Sequence, residues 1–296
     1  MTRGETGEDG PVRRDTGMTL LATRLEGEPG RRLRVARLGT GPPLVLLHGY
    51  PDNLQIWCRA APLLSRAHQV LAFDWPGMGE SDEREGEADP QGLARRLQEL
   101  LDGWGLQRVS LLAMDMGAPP ALVFAALRPE RVAAVVVLNS LLFGDEETSR
   151  EIRVMRRLAL NGLALRFAPR LVFGRVVRTS LPAGDGLDPG LSGDLWASFA
   201  RRGVRRYLAR LCAGYERALP ELPGLYARMR CPTLALWGER DHHFPPAHGR
   251  RLAQLVPGAR LEVIPRAGHW MALSHPEAVA ERVLAFPSRS AGAPWG

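Results

Sequence analysis

Short apolar runs alternate along the chain with longer stretches in which apolar positions recur at helical spacing. Pro43–Leu47, Gln69–Phe73 and Val109–Ala113 predict buried strands of the kind parallel sheets use, and Arg131–Leu138, Thr233–Trp237 and Leu261–Ile264 predict further strands. Between them, Leu54–Leu64, Gly92–Leu101, Gly117–Leu127, Ala247–Leu255 and Pro276–Ala285 predict helices. Ahead of these, Met18–Leu25 and Arg31–Leu38 flank a Glu28-Pro29-Gly30 turn and predict an opening hairpin. Such alternation implies an α/β fold with a doubly wound, mostly parallel sheet.

The rhythm breaks at Ser140. From there to Arg228 the pattern is helical, rich in arginine and leucine, with a Gly/Pro/Asp-rich interruption at Leu181–Gly193. It is too long for a loop within a compact domain, so a helical insertion is expected at 140–228, between core segments 18–139 and 229–287. Residues 1–17 and 288–296 are polar and read as a disordered leader and a tail.

Composition adds bounds. With 296 residues and 45% apolar content the chain can bury a large core. No apolar stretch of about 20 residues predicts a transmembrane helix, and the leader has no apolar signal region, which points to a cytoplasmic protein. Cys58, Cys212 and Cys231 match no disulfide or metal spacing. The net charge of +7 comes wholly from arginine, since the sequence contains no lysine. Arginines at 150, 153, 156 and 157 and at 201, 202, 205, 206 and 210 fall at helical spacing and read first as solvated faces, with steering of an anionic substrate or surface as the alternative. No nucleic-acid or membrane partner is expected.

The chemistry centres on Ala113-Met114-Asp115-Met116-Gly117. Small residues flank a sharp strand-to-helix bend, the shape of a nucleophile elbow, but a carboxylate occupies the tip. An aspartate with an ordinary pKa of about 3.9 is anionic at neutral pH and needs no base to activate it. Its attack on an ester would give a high-energy anhydride, whereas attack on a saturated carbon gives an alkyl ester. The substrate should therefore be an alkyl electrophile. The bland alternative is that Asp115 merely caps the following helix. Asp241 and His269 each follow a predicted strand end, and His48-Gly49-Tyr50-Pro51 forms a turn at another. His242-His243 lacks a third metal ligand at suitable spacing, so no metal site is expected.

With Asp115, Asp241 and His269 in that order, the chain resembles the α/β-hydrolase superfamily from about Met18 to Pro287. Within it, the chain resembles the aspartate-nucleophile branch of epoxide hydrolases and haloalkane or fluoroacetate dehalogenases. The resemblance implies that 140–228 is a cap over the active site and that the Tyr50–Pro51 bond is cis. It implies that Asp115 forms an alkyl-enzyme ester and that His269, supported by Asp241, activates the hydrolytic water. The N–H groups of Tyr50 and Met116 would hold the oxyanion, without any cofactor. Tyr215, Tyr207, Trp57 and His48 become candidates for substrate contact or leaving-group donation. Departures leave the leaving group open: no tyrosine lies in Leu141–Leu181, and Met116 stands where many relatives carry tryptophan. Epoxide hydrolysis is the first expectation and dehalogenation the second. A non-hydrolytic ligand-binding or biosynthetic role on this scaffold is the third. The partner expected is a small molecule, and homodimerisation is left open.

Overall fold

The computed structural model describes residues 19–287 apart from 84, 85, 87, 183 and 184, so the expected leader and tail lie outside the described residues. Its strands are β1 (Arg24–Glu26), β2 (Leu33–Leu38), β3 (Pro43–Leu47), β4 (Gln69–Phe73), β5 (Val109–Met114), β6 (Val132–Leu138), β7 (Thr233–Gly238) and β8 (Arg260–Ile264). They form one sheet in the order β1-β2-β4-β3-β5-β6-β7-β8. β2 is antiparallel to β1 and β4, and the pairs from β4 to β8 are parallel. The Val- and Leu-rich runs of β3, β5 and β6 are buried on both faces, which is why they read as unbroken apolar sequence.

Helices α1 (Ala60–Leu64), α2 (Pro90–Gly103) and α3 (Ala118–Leu127) connect the first parallel strands. α2 starts earlier than its periodicity predicts, because Asp89 caps it by accepting from the Gly92 N–H and Pro90 fits the first turn. α3 is apolar on nearly every side and buried beneath α2 and α9 (Leu222–Tyr226). The expected helix Leu54–Leu64 divides into a 3-10 turn, Leu54–Trp57, and α1, and the first strand of the opening hairpin shrinks to Arg24–Glu26.

Between β6 and α9 lie α4 (Arg150–Arg156), α5 (Leu158–Phe167), α6 (Pro169–Ser180), α7 (Pro189–Ala200) and α8 (Arg202–Ala218). α8 packs against α4, α5 and α7, and α6 against α5 and α7, whereas α9 packs against α3 and α10 (Ala247–Leu255). The Gly/Pro/Asp-rich stretch is the α6–α7 connection, ended by the Asp188 cap on Gly190. Arg34 on β2 reaches Asp194 on α7 with two hydrogen bonds, 3.2 and 2.7 Å, fastening these helices to the sheet. α11 (Met271–Ser274) and α12 (Pro276–Ala285) complete the chain.

Candidate active site

β5 ends at Met114, and Asp115 turns the chain with φ +47°, in the left-handed region that non-glycine residues rarely occupy. The bend is tight because β3 lies alongside it. A Cβ on Gly117 would come within 2.6 Å of the Leu47 and His48 carbonyl oxygens, and one on Gly49 within 2.3 Å of the Asp115 Cβ. That close approach is the physical reason for small residues around the tip.

The Asp115 carboxylate is held at both oxygens. The Tyr50 N–H donates to Oδ1 at 2.7 Å, and His269 Nε2 lies 3.5 Å from Oδ2. On the far side of the ring, His269 Nδ1 is 3.1 Å from Asp241 Oδ2. The second oxygen of Asp241 accepts from the His243 and Phe244 N–H groups at 2.8 and 3.2 Å. Asp115 therefore does not serve as a side-chain cap of its own helix. All three side chains are buried. Burial works against the imidazolium, but the Asp241 charge and hydrogen bonds to Asp115 and Asp241 overcome it and hold the His269 pKa up at about 10.

Asn139, at the end of β6, ties the arrangement together. Its Nδ2 donates to the Gly268 and His269 carbonyls at 2.9 and 2.8 Å, and its Oδ1 accepts from the Gly238 N–H at 2.8 Å. Its carbonyl accepts from the Asp115 N–H, and the Ser140 hydroxyl donates to the Asp115 carbonyl at 2.7 Å. One amide thus sets the spacing of three strand ends. Its sequence signal, a polar residue after the run Val132–Leu138, does not reveal this clamp.

Asp115, Tyr50, Met116, Tyr215 and His269 line a cavity of about 340 Å³, together with mainly apolar side chains from α4, α6 and α8. The Tyr215 hydroxyl donates to the Met116 carbonyl. The Tyr50 hydroxyl is buried without a hydrogen-bond partner, and the buried Asn161 amide on the wall lies beside the Cys212 thiol. The Tyr50–Pro51 bond is cis.

Three expected contact residues lie elsewhere. Tyr207 packs its ring against Gly77, so close that a Cβ there would sit 2.8 Å from it, and is not on the cavity wall. Trp57 is wholly buried in the core and does not line the cavity. His48 Nδ1 faces the Gly49 carbonyl at 3.0 Å, and its Nε2 accepts from the Trp75 N–H at 3.1 Å. Burial holds its pKa down to about 4, so His48 is a neutral brace of its turn. Glu239 accepts from the Arg266 N–H, away from His269.

Two features escape the sequence. Glu151 from α4 joins His242 and His243, with ligand atoms within 4.8 Å of one another. Both ring nitrogens of His243 face hydroxyls, Ser149 at 3.1 Å and Thr179 at 3.0 Å, and Glu151 is paired with Arg175. The third ligand that the local spacing of His242-His243 lacks thus comes from α4, although Ser149, Thr179 and Arg175 already engage His243 and Glu151. Asp52 is fully buried, and burial, then the Asp115 charge, pushes its carboxyl up to about 8 against the opposing His269 charge and hydrogen bonding from the Gly49 backbone and the Trp270 side chain. Among the described residues, no helix is long and apolar enough to cross a membrane.

Comparison with known proteins places this geometry in context. Residues 42–276 match the family described as alpha/beta hydrolase fold. The chain is 30% identical, over 87% of its length and 67% of the relative's, to a Pseudomonas putida dihydrolipoyllysine-residue acetyltransferase component of an acetoin cleaving system. It is 29% identical, over 88% of its length and 93% of the relative's, to a P. putida 2-hydroxy-6-oxononadienedioate/2-hydroxy-6-oxononatrienedioate hydrolase. It spans only 13% of a Burkholderia thailandensis polyketide synthase, which it matches at 30% identity over 92% of its own length. Haloalkane dehalogenase DbeA from Bradyrhizobium elkani superposes with a TM-score of 0.76 at 21% identity, over 88% of this chain and 96% of that one.

Proposed function

The chain belongs to the alpha/beta hydrolase fold family, and from that premise we propose that it is a hydrolase using Asp115 as a nucleophile through a covalent alkyl-enzyme ester. The observation that carries this reading is the carboxylate at the elbow, held between the Tyr50 N–H and the His269 imidazole. Oδ2 attacks the electrophilic carbon of a bound substrate and the carbon–leaving-group bond breaks. Oδ1, already bonded to the Tyr50 N–H, becomes the ester carbonyl oxygen. His269 then takes a proton from water as that water adds to the Asp115 Cγ. The Tyr50 N–H, with that of Met116, stabilises the oxyanion. Removal of one such donor typically costs about 10²–10³ in rate. Breakdown of the intermediate restores the Asp115 carboxylate and releases an alcohol.

Epoxide opening is the first reading, because an alkoxide leaving group needs a proton and the cavity wall carries two tyrosines, Tyr50 and Tyr215. Burial pushes both phenols well above their ordinary pKa, which keeps them protonated. The Tyr215 hydroxyl turns from the Met116 carbonyl to the departing oxygen. Dehalogenation is the second reading, favoured by the buried Asn161 amide beside Cys212 on the cavity wall, a weak donor suited to a halide. A carboxylate nucleophile argues against acyl-transfer chemistry of the kind an ester hydrolase performs. The helices from α4 to α8 act as the cap in this account. Incubation with a panel of styrene-type epoxides and bromoalkanes, with diol and free halide measured, separates the readings. Diol supports the first and halide the second, and neither product together with unmodified Asp115 would leave only a non-hydrolytic role.

A further inference from the structure

Helices of globular proteins bury their apolar stripe, yet α5 and α6 also present one outward. Leu160, Leu163 and Phe167 recur at helical spacing on α5 and, with Leu171 in the first turn of α6, are 46%, 55%, 70% and 71% exposed. Leu165 and Phe173 on the same helices are buried, so this pair has two apolar faces and one is uncovered. Leu171 and Val154, which is 47% exposed, also line the cavity. The uncovered face therefore runs to the rim of the candidate active site.

Charge indicates what covers it. Residues 150–178 contain eight arginines and one acid, Glu151, an excess equal to the +7 of the whole chain. Beside Phe167, a groove of about 540 Å³ is lined by Arg166, Arg202, Arg205 and Arg206. Arg166 stacks on the Phe167 ring at 5.0 Å, and it, Arg202 and Arg206 have no ion-pair partner among the described residues. A second copy of the chain would set these like charges against one another. An anionic lipid surface supplies both the opposite charge and an apolar layer beneath it.

We infer that the α5–α6 face docks on an anionic membrane surface, with Phe167 and Leu171 among the acyl chains and the arginine groove on lipid phosphates. This revises the expectation of no membrane partner drawn from the sequence. The cavity rim then faces the bilayer, from which an apolar substrate enters. That last consequence rests on the proposed reaction, whereas the docking does not.

Flotation of the full chain with vesicles of phosphatidylcholine alone, or mixed with phosphatidylglycerol, tests the inference without substrate. Binding is expected on the mixed vesicles and to persist in part at physiological salt. Phe167→Ser with Leu171→Ser should weaken it about tenfold or more, and Arg166→Glu or Arg206→Glu each by at least about fivefold. Arg260→Glu, at the amino end of β8 and opposite the cavity, should leave it unchanged. These side chains are exposed, so unchanged thermal melting should accompany each loss; if the serine pair misfolds, Leu160→Ser with Leu163→Ser replaces it. Failure to bind the mixed vesicles overturns the inference. So does binding that ignores the serine pair, or that Arg260→Glu weakens as much as Arg206→Glu, since either marks general attraction to a basic chain. A concentration-dependent dimer that the serine pair dissolves, without vesicle binding, would assign the face to a second copy instead. Failure of the unaltered chain to bind the mixed vesicles while it turns over dissolved substrate fails the docking alone, and vesicle binding by a chain inert to all alkyl electrophiles fails the reaction alone.

Discussion

Replacing Asp115 by asparagine removes one of the two carboxylates that flank His269 while leaving a side chain of nearly the same size. At 3.5 Å and an effective dielectric of about 20, a pair of unit charges interacts by roughly 5 kcal/mol, which bounds the effect from above. The His269 pKa stands at about 10 against an ordinary 6.5, and Asp241 contributes more to this rise than Asp115 does. Removing the Asp115 charge should therefore bring it down while leaving the larger Asp241 contribution in place. Proton NMR titration of the imidazole, assigned by its loss in His269→Gln, reads the change directly. An unaltered pKa in Asp115→Asn would refute the coupling. The consequence is mechanistic, because alkylation neutralises the same carboxylate. His269 is held protonated at rest and becomes a usable base only after the ester forms. Below its pKa in the ester form it carries the proton and cannot accept one from water. Ester hydrolysis should thus rise with pH and level off at a pH below about 10, once His269 in the ester form has lost its proton.

Asp52→Asn should stabilise the fold. Its folded pKa of about 8, against an ordinary 3.8, means the folded state resists ionisation, so the penalty is absent below pH 3.8 and grows as pH rises towards 8. Urea unfolding should show a gain on the order of 2–4 kcal/mol at pH 7 that shrinks towards pH 4, and a less stable variant at pH 7 would contradict this. Tyr215→Phe should cut epoxide opening by about 10²-fold or more, while Tyr207→Phe, whose ring packs against Gly77 away from the cavity, should leave steady-state diol formation nearly unchanged. Gly49→Ala drives a methyl to within 2.3 Å of the Asp115 Cβ, so turnover should fall at least tenfold even where circular dichroism reports a folded protein.

The strand runs and the order Asp115, Asp241, His269 were legible because buried parallel strands leave continuous apolar sequence and because residues just beyond their carboxyl ends share one rim. What was not legible depends on which face of an element meets which neighbour. Tyr207 and Tyr215 lie on the same helix, but eight positions turn them about 80° apart, so one meets Gly77 and the other the cavity. Glu151 reaches His242 across a separation of 91 residues, which no local spacing anticipates. Asp52 looks like an ordinary loop aspartate until its burial is seen, and the helical period of Leu160, Leu163 and Phe167 does not say that they, with Leu171, face outward.

Intact-protein mass spectrometry of His269→Gln after addition of an epoxide or alkyl halide tests the central claim most directly. The account predicts a covalent adduct that accumulates because water is no longer activated, with peptide mapping locating it on Asp115 and no adduct in Asp115→Ala with His269→Gln. A chain that turns substrate over with no mass gain in His269→Gln, or one modified at another residue, would contradict it.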